Sequence, residues 1–266
     1  MDRVGLIGAG NMGESILKAL LKNGIEKKNI CFIEAKKERA LYIANTYGID
    51  EVRTMPELAK RADIIVLAVK PQDASKIMPG VASCVTGSSI LISIMAGITI
   101  SKILSLAGKP MRVVRMMPNL AIKVNQGVIG MTASADVSDD EFSAIKSLFS
   151  SAGLIIDVEE AHMDAITSLG ASSPAFFLLF LEAMIDGGVH IGLPRDKAKA
   201  ISIQVVKGAI EMLEHEQIHP ALMREMITSP GGTTISGLAL LETKAFRGNI
   251  IEAIEKASRR AKELSS

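Results

Sequence analysis

Tryptophan is absent from this chain of 266 residues, and aromatic side chains make up only 3% of it. Base-stacking platforms for nucleic acid depend on such rings, so that class of function is disfavoured. A surplus of positive charge is missing too, since 30 Lys and Arg face 29 Asp and Glu. Nucleic-acid surfaces need a basic excess to meet phosphates. Cysteine occurs twice, at Cys31 and Cys84, each among apolar or small residues. Two such distant thiols read as buried and reduced. The most apolar late run, Ala175–Leu181, ends at Glu182, far short of the roughly 20 residues that span a bilayer. The first residues lack the basic stretch and apolar core of a signal peptide. A soluble cytoplasmic protein with no membrane or nucleic-acid partner is therefore expected.

What the sequence does have is an orderly alternation. Apolar runs at Val4–Ile7, Ile30–Ile33, Asp63–Val69, Ser89–Ile94, Arg112–Met116, Val128–Met131 and Leu154–Val158 read as strands. Helical stretches lie between several of them, at Asn11–Lys22, at 36–47, after Pro71 and at 138–151. Continuous apolar strands are buried on both faces, so this half predicts a parallel, doubly wound α/β sheet of the Rossmann type. After Asp157 only helical patterns follow: 161–188, 195–215, 220–227, 233–242 and 246–264. The expected organisation is a dinucleotide-binding domain over 1–157 and an all-helical domain over 158–266. Phe176–Leu181 forms a near-continuous apolar band. A helix apolar all round must be covered on all sides, which suggests dimerisation through it.

The strand Val4–Ile7 runs into Gly8-Ala9-Gly10-Asn11-Met12-Gly13 and a helix. In that setting Gly8 permits the turn, Gly10 admits a pyrophosphate to the backbone, and Gly13 lets helix and strand pack closely. The amides of Asn11 and Met12 open the helix toward the same anion. Glu34 ends the second strand, where a carboxylate accepts ribose hydroxyls and favours NAD. Lys36 and Lys37 lie just behind it and suit the 2′-phosphate of NADP, so NADP or NAD remains open. Loops at the C-terminal ends of parallel strands face the ligand crevice. Ala68-Val69-Lys70-Pro71 and Met95-Ala96-Gly97 are thus expected to line the nicotinamide half. Asn119, after Met116-Met117-Pro118, reads either as a turn residue or as a partner for the nicotinamide carboxamide or ribose.

In the helical half, Thr228-Ser229-Pro230-Gly231-Gly232-Thr233-Thr234 leads into a helix. It reads either as a helix start capped by Ser or Thr, or as a main-chain receptor for a small carboxylate. In the second reading Thr234 can hydrogen-bond a substrate nitrogen. His215-Glu216-Gln217-Ile218-His219 matches a zinc-protease pattern, but Pro220 biases His219 out of helical geometry. No metal is expected.

Together these motifs resemble the pyrroline-5-carboxylate reductase family. The pieces are Gly8–Gly13, Val69-Lys70-Pro71-Gln72, Ser93–Gly97, Arg115–Asn119, Pro174-Ala175-Phe176, Gly192-Leu193-Pro194 and Ser229–Thr234, with Gly237-Leu238 and Leu241-Glu242 beyond. The resemblance implies a Rossmann domain followed by a helical dimerisation domain, in dimers or assemblies of dimers. It implies reduction of (S)-1-pyrroline-5-carboxylate to L-proline by NAD(P)H, the last step of proline biosynthesis. It implies a substrate carboxylate held at Ser229, Gly231 and Gly232, with Thr233 in the same loop and Thr234 as the catalytic hydroxyl near the ring nitrogen. The chain departs from the family at Gly170-Ala171-Ser172-Ser173, where the family has two more glycines, and at Glu34-Ala35, where many members have Asn-Arg. Two other readings use the same scaffold. A β-hydroxyacid-type dehydrogenase needs a base, for which Lys197, Lys199 and Lys207 are available. The other is a non-catalytic nucleotide-binding protein.

Overall fold

A computed structural model describes residues 3–265, with side chains through residue 263. Strand β1 (Val4–Ile7) and helix α1 (Asn11–Lys22) begin the chain, followed by β2 (Ile30–Ile33) and α2 (Lys37–Tyr47). A two-residue strand β3 (Asp50–Glu51) and α3 (Met55–Arg61) come next, then β4 (Ile64–Leu67) and α4 (Ala74–Cys84). The sheet continues with β5 (Ile90–Ser93), α5 (Ile100–Ala107), β6 (Arg112–Pro118), β7 (Gly127–Ala133), α6 (Asp139–Leu148) and β8 (Gly153–Asp157). Its order is β3-β2-β1-β4-β5-β6-β7-β8.

Every residue of β1, β4 and β5 is buried, because helices cover both faces of the sheet. Alternation along β1 sends Leu6 into one core with Ile16, Leu20 and Phe32, and Ile7 into the other with Ile65, Met78 and Val113. Helix starts around the sheet carry side-chain caps, among them Thr54 for α3, Thr99 for α5, and a capping box of Ser138 with Glu141 for α6.

The sheet is not wholly parallel, which corrects the expectation. β6 and β7 pair antiparallel, with Met116 opposite Met131. Only residues 119–126 join them, containing one 3-10 turn, and a parallel crossover needs a dozen or more residues.

The helix expected at 161–188 is interrupted. It comprises a 3-10 turn (Glu160–His162), α7 (Met163–Ile166), a π-helical segment (Thr167–Ser172) and α8 (Ser173–His190). Met163 and Ser168 are buried, and Ile166 sits where a Cβ on Gly130 of β7 would fall. These first turns therefore pack on the sheet. One compact unit accordingly runs through Ser172 and takes back the chain from Ala257 onward; the other is Ser173–Lys256.

The second unit holds α8, α9 (Arg195–Glu216), α10 (Pro220–Met226), α11 (Thr233–Thr243) and the first half of α12 (Phe246–Ser265). α8 and α9 form a hairpin in which Gly188 lies against Ala198. No residue of α8 or α11 is buried. The run Glu160–His190 has a window of mean hydropathy 1.5 and, by length and composition only, is long enough to cross a membrane. Reading the run Ala175–Leu181 alone missed this.

Candidate functional site

The C-terminal ends of β1, β2, β4, β5 and β6 share one edge of the sheet, since these strands are mutually parallel. The strand order reverses between β1 and β4, the usual ligand crevice of a doubly wound sheet. Gly8–Gly13, Glu34, Ala68–Pro71, Ala96-Gly97 and Asn119 all follow those strand ends.

Geometry explains the glycines. Gly8 has φ +93°, and a Cβ there would lie 2.5 Å from the Ala68 carbonyl oxygen. A Cβ on Gly13 would lie 2.3 Å from the Gly8 carbonyl oxygen. Gly10 differs: nothing stands within 4 Å of its missing Cβ. Its openness suits an approaching ligand rather than internal packing. α1 starts at Asn11 with Gly10 as N-cap and no side-chain cap, so the first-turn amides point to an open, glycine-lined rim. Such a rim fits a diphosphate.

Glu34 is built into this rim. Its Oε2 accepts the Ala9 N–H at 2.8 Å, and its Oε1 accepts the Lys36 N–H at 3.0 Å. Behind the turn lies a charged cluster that the sequence reading overlooked. Arg39 Nε donates to the Ala9 carbonyl at 2.7 Å, and Arg39 Nη2 pairs with buried Glu14 at 2.5 Å. Tyr47 also donates to Glu14. Burial pushes the Glu14 carboxyl up, but the Tyr47 hydroxyl, Arg39 and Lys18 pull harder, leaving it below the ordinary value. The spacing of Glu14 one turn into α1 was the only sequence signal.

Asn119 has a structural role in its turn. Its side chain is buried and engaged by the protein itself. Nδ2 donates to the Gly170 carbonyl at 2.9 Å, and Oδ1 accepts from the Ala121 and Val128 amides, both at 3.2 Å. These bonds close the β6–β7 connection, and Nδ2 keeps a second hydrogen. A second buried polar group, Arg115, was quoted in the sequence only as part of a motif. Its Nη1 donates to Glu160 at 3.2 Å, and the same Glu160 oxygen accepts the Ile100 N–H at 2.7 Å. Arg115 thereby ties the start of α5 to the turn after β8.

In the helical unit, the loop before α11 is shaped by its two glycines. Gly231 has φ +67°, where side chains are disfavoured. Gly232 faces the Ser229 Oγ, which would lie 2.4 Å from a Cβ there. Gly232 is the N-cap of α11, and no side chain caps that start. Of the two readings of the loop, a Ser or Thr cap is not realised. Thr233 and Thr234 are the first two residues of α11, with Thr234 half-buried.

The zinc-protease pattern is dispersed. α9 ends at Glu216 and turns at Gln217 in the left-handed region, while His219 Nδ1 accepts the Ala221 N–H at the start of α10. Burial pushes the Cys31 thiol up, as for a packing residue; Cys84 is only partly buried and also free.

Comparisons with known proteins bear on both units. The family profile "Pyrroline-5-carboxylate reductase dimerisation" matches residues 160–264. The profile "NADP oxidoreductase coenzyme F420-dependent" matches residues 3–97. The pyrroline-5-carboxylate reductase of Synechocystis is 37% identical over 98% of this chain and 98% of its own length. That of Aquifex aeolicus is 35% identical over 98% and 97%. Among solved structures, the pyrroline carboxylate reductase of Plasmodium falciparum with NADP bound matches at a TM-score of 0.91, with 30% identity over 99% of this chain and 98% of that one. A prephenate dehydrogenase from A. aeolicus, 13% identical with a TM-score of 0.55, shares the fold alone.

Proposed function

The chain belongs to the pyrroline-5-carboxylate reductase family, and on that premise we propose that it reduces the cyclic imine (S)-1-pyrroline-5-carboxylate to L-proline, the last step of proline biosynthesis. The identity to reductases of that name, sustained along nearly the whole chain, carries the reading. When bound, the reduced nicotinamide dinucleotide supplies the hydride that adds to the imine carbon.

The chain's own residues bind, orient and hold a proton in place. Backbone amides from Gly10 to Gly13 hold the diphosphate through the open start of α1. Glu34 stands at the adenosine ribose, Lys36 lies beside it, and Ala68, Val69, Lys70, Pro71, Ala96 and Gly97 border the nicotinamide half. In the helical unit, amides of the Ser229–Thr233 loop hold the substrate carboxylate. The Thr234 hydroxyl faces the ring nitrogen and keeps its proton in place while hydride arrives. Hydride addition to a protonated imine needs no base to deprotonate a hydroxyl, so Lys197, Lys199 and Lys207 are given no role in it.

The enzyme is soluble, and we read it as cytoplasmic and homo-oligomeric, a dimer or an assembly of dimers. Leu178, Leu179 and Leu240 are at least 60% exposed in the single chain, and exposed apolar side chains of this size suit an association surface. It lies within the matched dimerisation region, which also accounts for the apolar run Glu160–His190 without a bilayer. Adding pyrroline-5-carboxylate to enzyme with NADH or NADPH, while following nicotinamide absorbance, tests the activity. Substrate-dependent loss of the reduced cofactor supports it. Loss only with a ketoacid supports the hydroxyacid-dehydrogenase alternative.

A further inference from the structure

The position after the second strand decides how a doubly wound site treats the adenosine ribose. In this chain the Glu34 carboxylate is held by two backbone amides, of Ala9 at 2.8 Å and Lys36 at 3.0 Å. The first belongs to the glycine turn itself, so the anion is fixed to the rim that meets the dinucleotide. A carboxylate offers about four lone-pair sites. Two are used by the protein, and the others remain for hydroxyl donors.

Nearby cations would have to neutralise Glu34 if a 2′-phosphate were to bind. Arg39 has the forked donor geometry that suits phosphate, yet it is already engaged. Its Nε and Nη2 donate to the Ala9 and Gly10 carbonyls at 2.7 and 3.3 Å, Nη2 pairs with Glu14 at 2.5 Å, and the guanidinium lies over the Tyr42 ring. Ala35, next to Glu34, has only a methyl group and no charge to contribute. Lys36 and Lys37 remain, and both are exposed. Solvated ammonium groups offset little of a fixed negative charge.

We propose that Glu34, anchored to the glycine turn, makes this enzyme select the dinucleotide that lacks a 2′-phosphate, so that NADH is preferred to NADPH. The inference rests on the reading that this turn holds a nicotinamide dinucleotide, and it adds the ribose specificity of that site. Ribose hydroxyls donate to the carboxylate, whereas a 2′-phosphate places like charge against it. At a few ångströms in a partly solvated site, that repulsion corresponds to about tenfold or more in affinity.

Fluorescence titration of the full-length enzyme with NADH and with NADPH gives both dissociation constants without turnover. Steady-state kcat/KM with pyrroline-5-carboxylate gives the matching ratio. The wild type is expected to bind NADH about tenfold or more tightly. Glu34→Gln keeps an acceptor for the Ala9 amide and removes the charge, and it is expected to shrink the ratio by a similar factor, chiefly by tightening NADPH. Ala35→Arg leaves the Glu34 contacts in place and is expected to tighten NADPH selectively. Equal affinity in the wild type, a preference for NADPH, or a Glu34→Gln variant that weakens both cofactors by one factor would overturn the inference while leaving the proposed reaction intact. If neither dinucleotide binds, both the inference and the reaction fall.

Discussion

Arg39 Nη2 lies 2.5 Å from the carboxylate of Glu14, joining the first helix to the second directly behind the glycine turn. Glu14 is buried, and Arg39 also donates to the Ala9 carbonyl, so the pair holds the turn from inside. Removing the charge at Glu14 leaves a guanidinium facing a neutral amide. Glu14→Gln is expected to cost about 1–3 kcal/mol of stability, read as a lower Tm.

The same pair sets a pH dependence. Because the folded Glu14 carboxyl lies below its ordinary value of 4.5, its contribution is complete above that pH and lost as pH falls through the folded value. The Tm gap between wild type and Glu14→Gln should be widest near neutrality and should close in acid. A gap that stays constant down to the acid limit would contradict the assignment.

Gly10 and Gly13 separate binding from folding. Gly10 has φ −63° and open space at its Cβ position, so Gly10→Ala should keep its stability to within about 1 kcal/mol. At the proposed diphosphate site its added methyl would meet the incoming ligand, and cofactor affinity is expected to fall about tenfold or more. Gly13→Ala forces a Cβ to 2.3 Å from the Gly8 carbonyl oxygen and should lower stability by about 1–3 kcal/mol. Parallel melting and binding curves check both.

Much of this rim was legible in the sequence because its constraints are local. A glycine with φ +93°, a strand feeding a helix, and an acidic residue one strand later are all encoded within short windows. Asn119 was not legible in that way. Its role depends on Ala121, Val128 and Gly170, which only the folded sheet assembles. The direction of β7 follows from the short 119–126 connection, a limit on pairing that no single strand's pattern carries. β3 is too short for periodicity to register. The π-helical segment lies where Pro174, lacking an N–H, cannot serve the carbonyl four residues before it, that of Gly170.

Asn119→Ala separates a structural role from cofactor binding. It removes three hydrogen bonds from a buried side chain and should cost about 2–3 kcal/mol, with cofactor affinity changed by less than about threefold where the protein is folded. A tenfold loss of affinity at unchanged Tm would return Asn119 to the cofactor.

Thr234 is the side chain assigned to the reacting nitrogen. Thr234→Ala should lower kcat by about tenfold or more, with Thr234→Ser recovering most of it, since the role belongs to a hydroxyl. Unchanged kcat and KM in Thr234→Ala would remove this residue from the chemistry.

The central claim is the reaction itself, and product stoichiometry tests it most directly. Purified enzyme is supplied with reduced cofactor and pyrroline-5-carboxylate, and the proline formed is quantified against the cofactor oxidised. The account predicts equal amounts of each, with no oxidation when the imine is omitted. Tight cofactor binding with no proline formed, under conditions where an established reductase turns over, would contradict it.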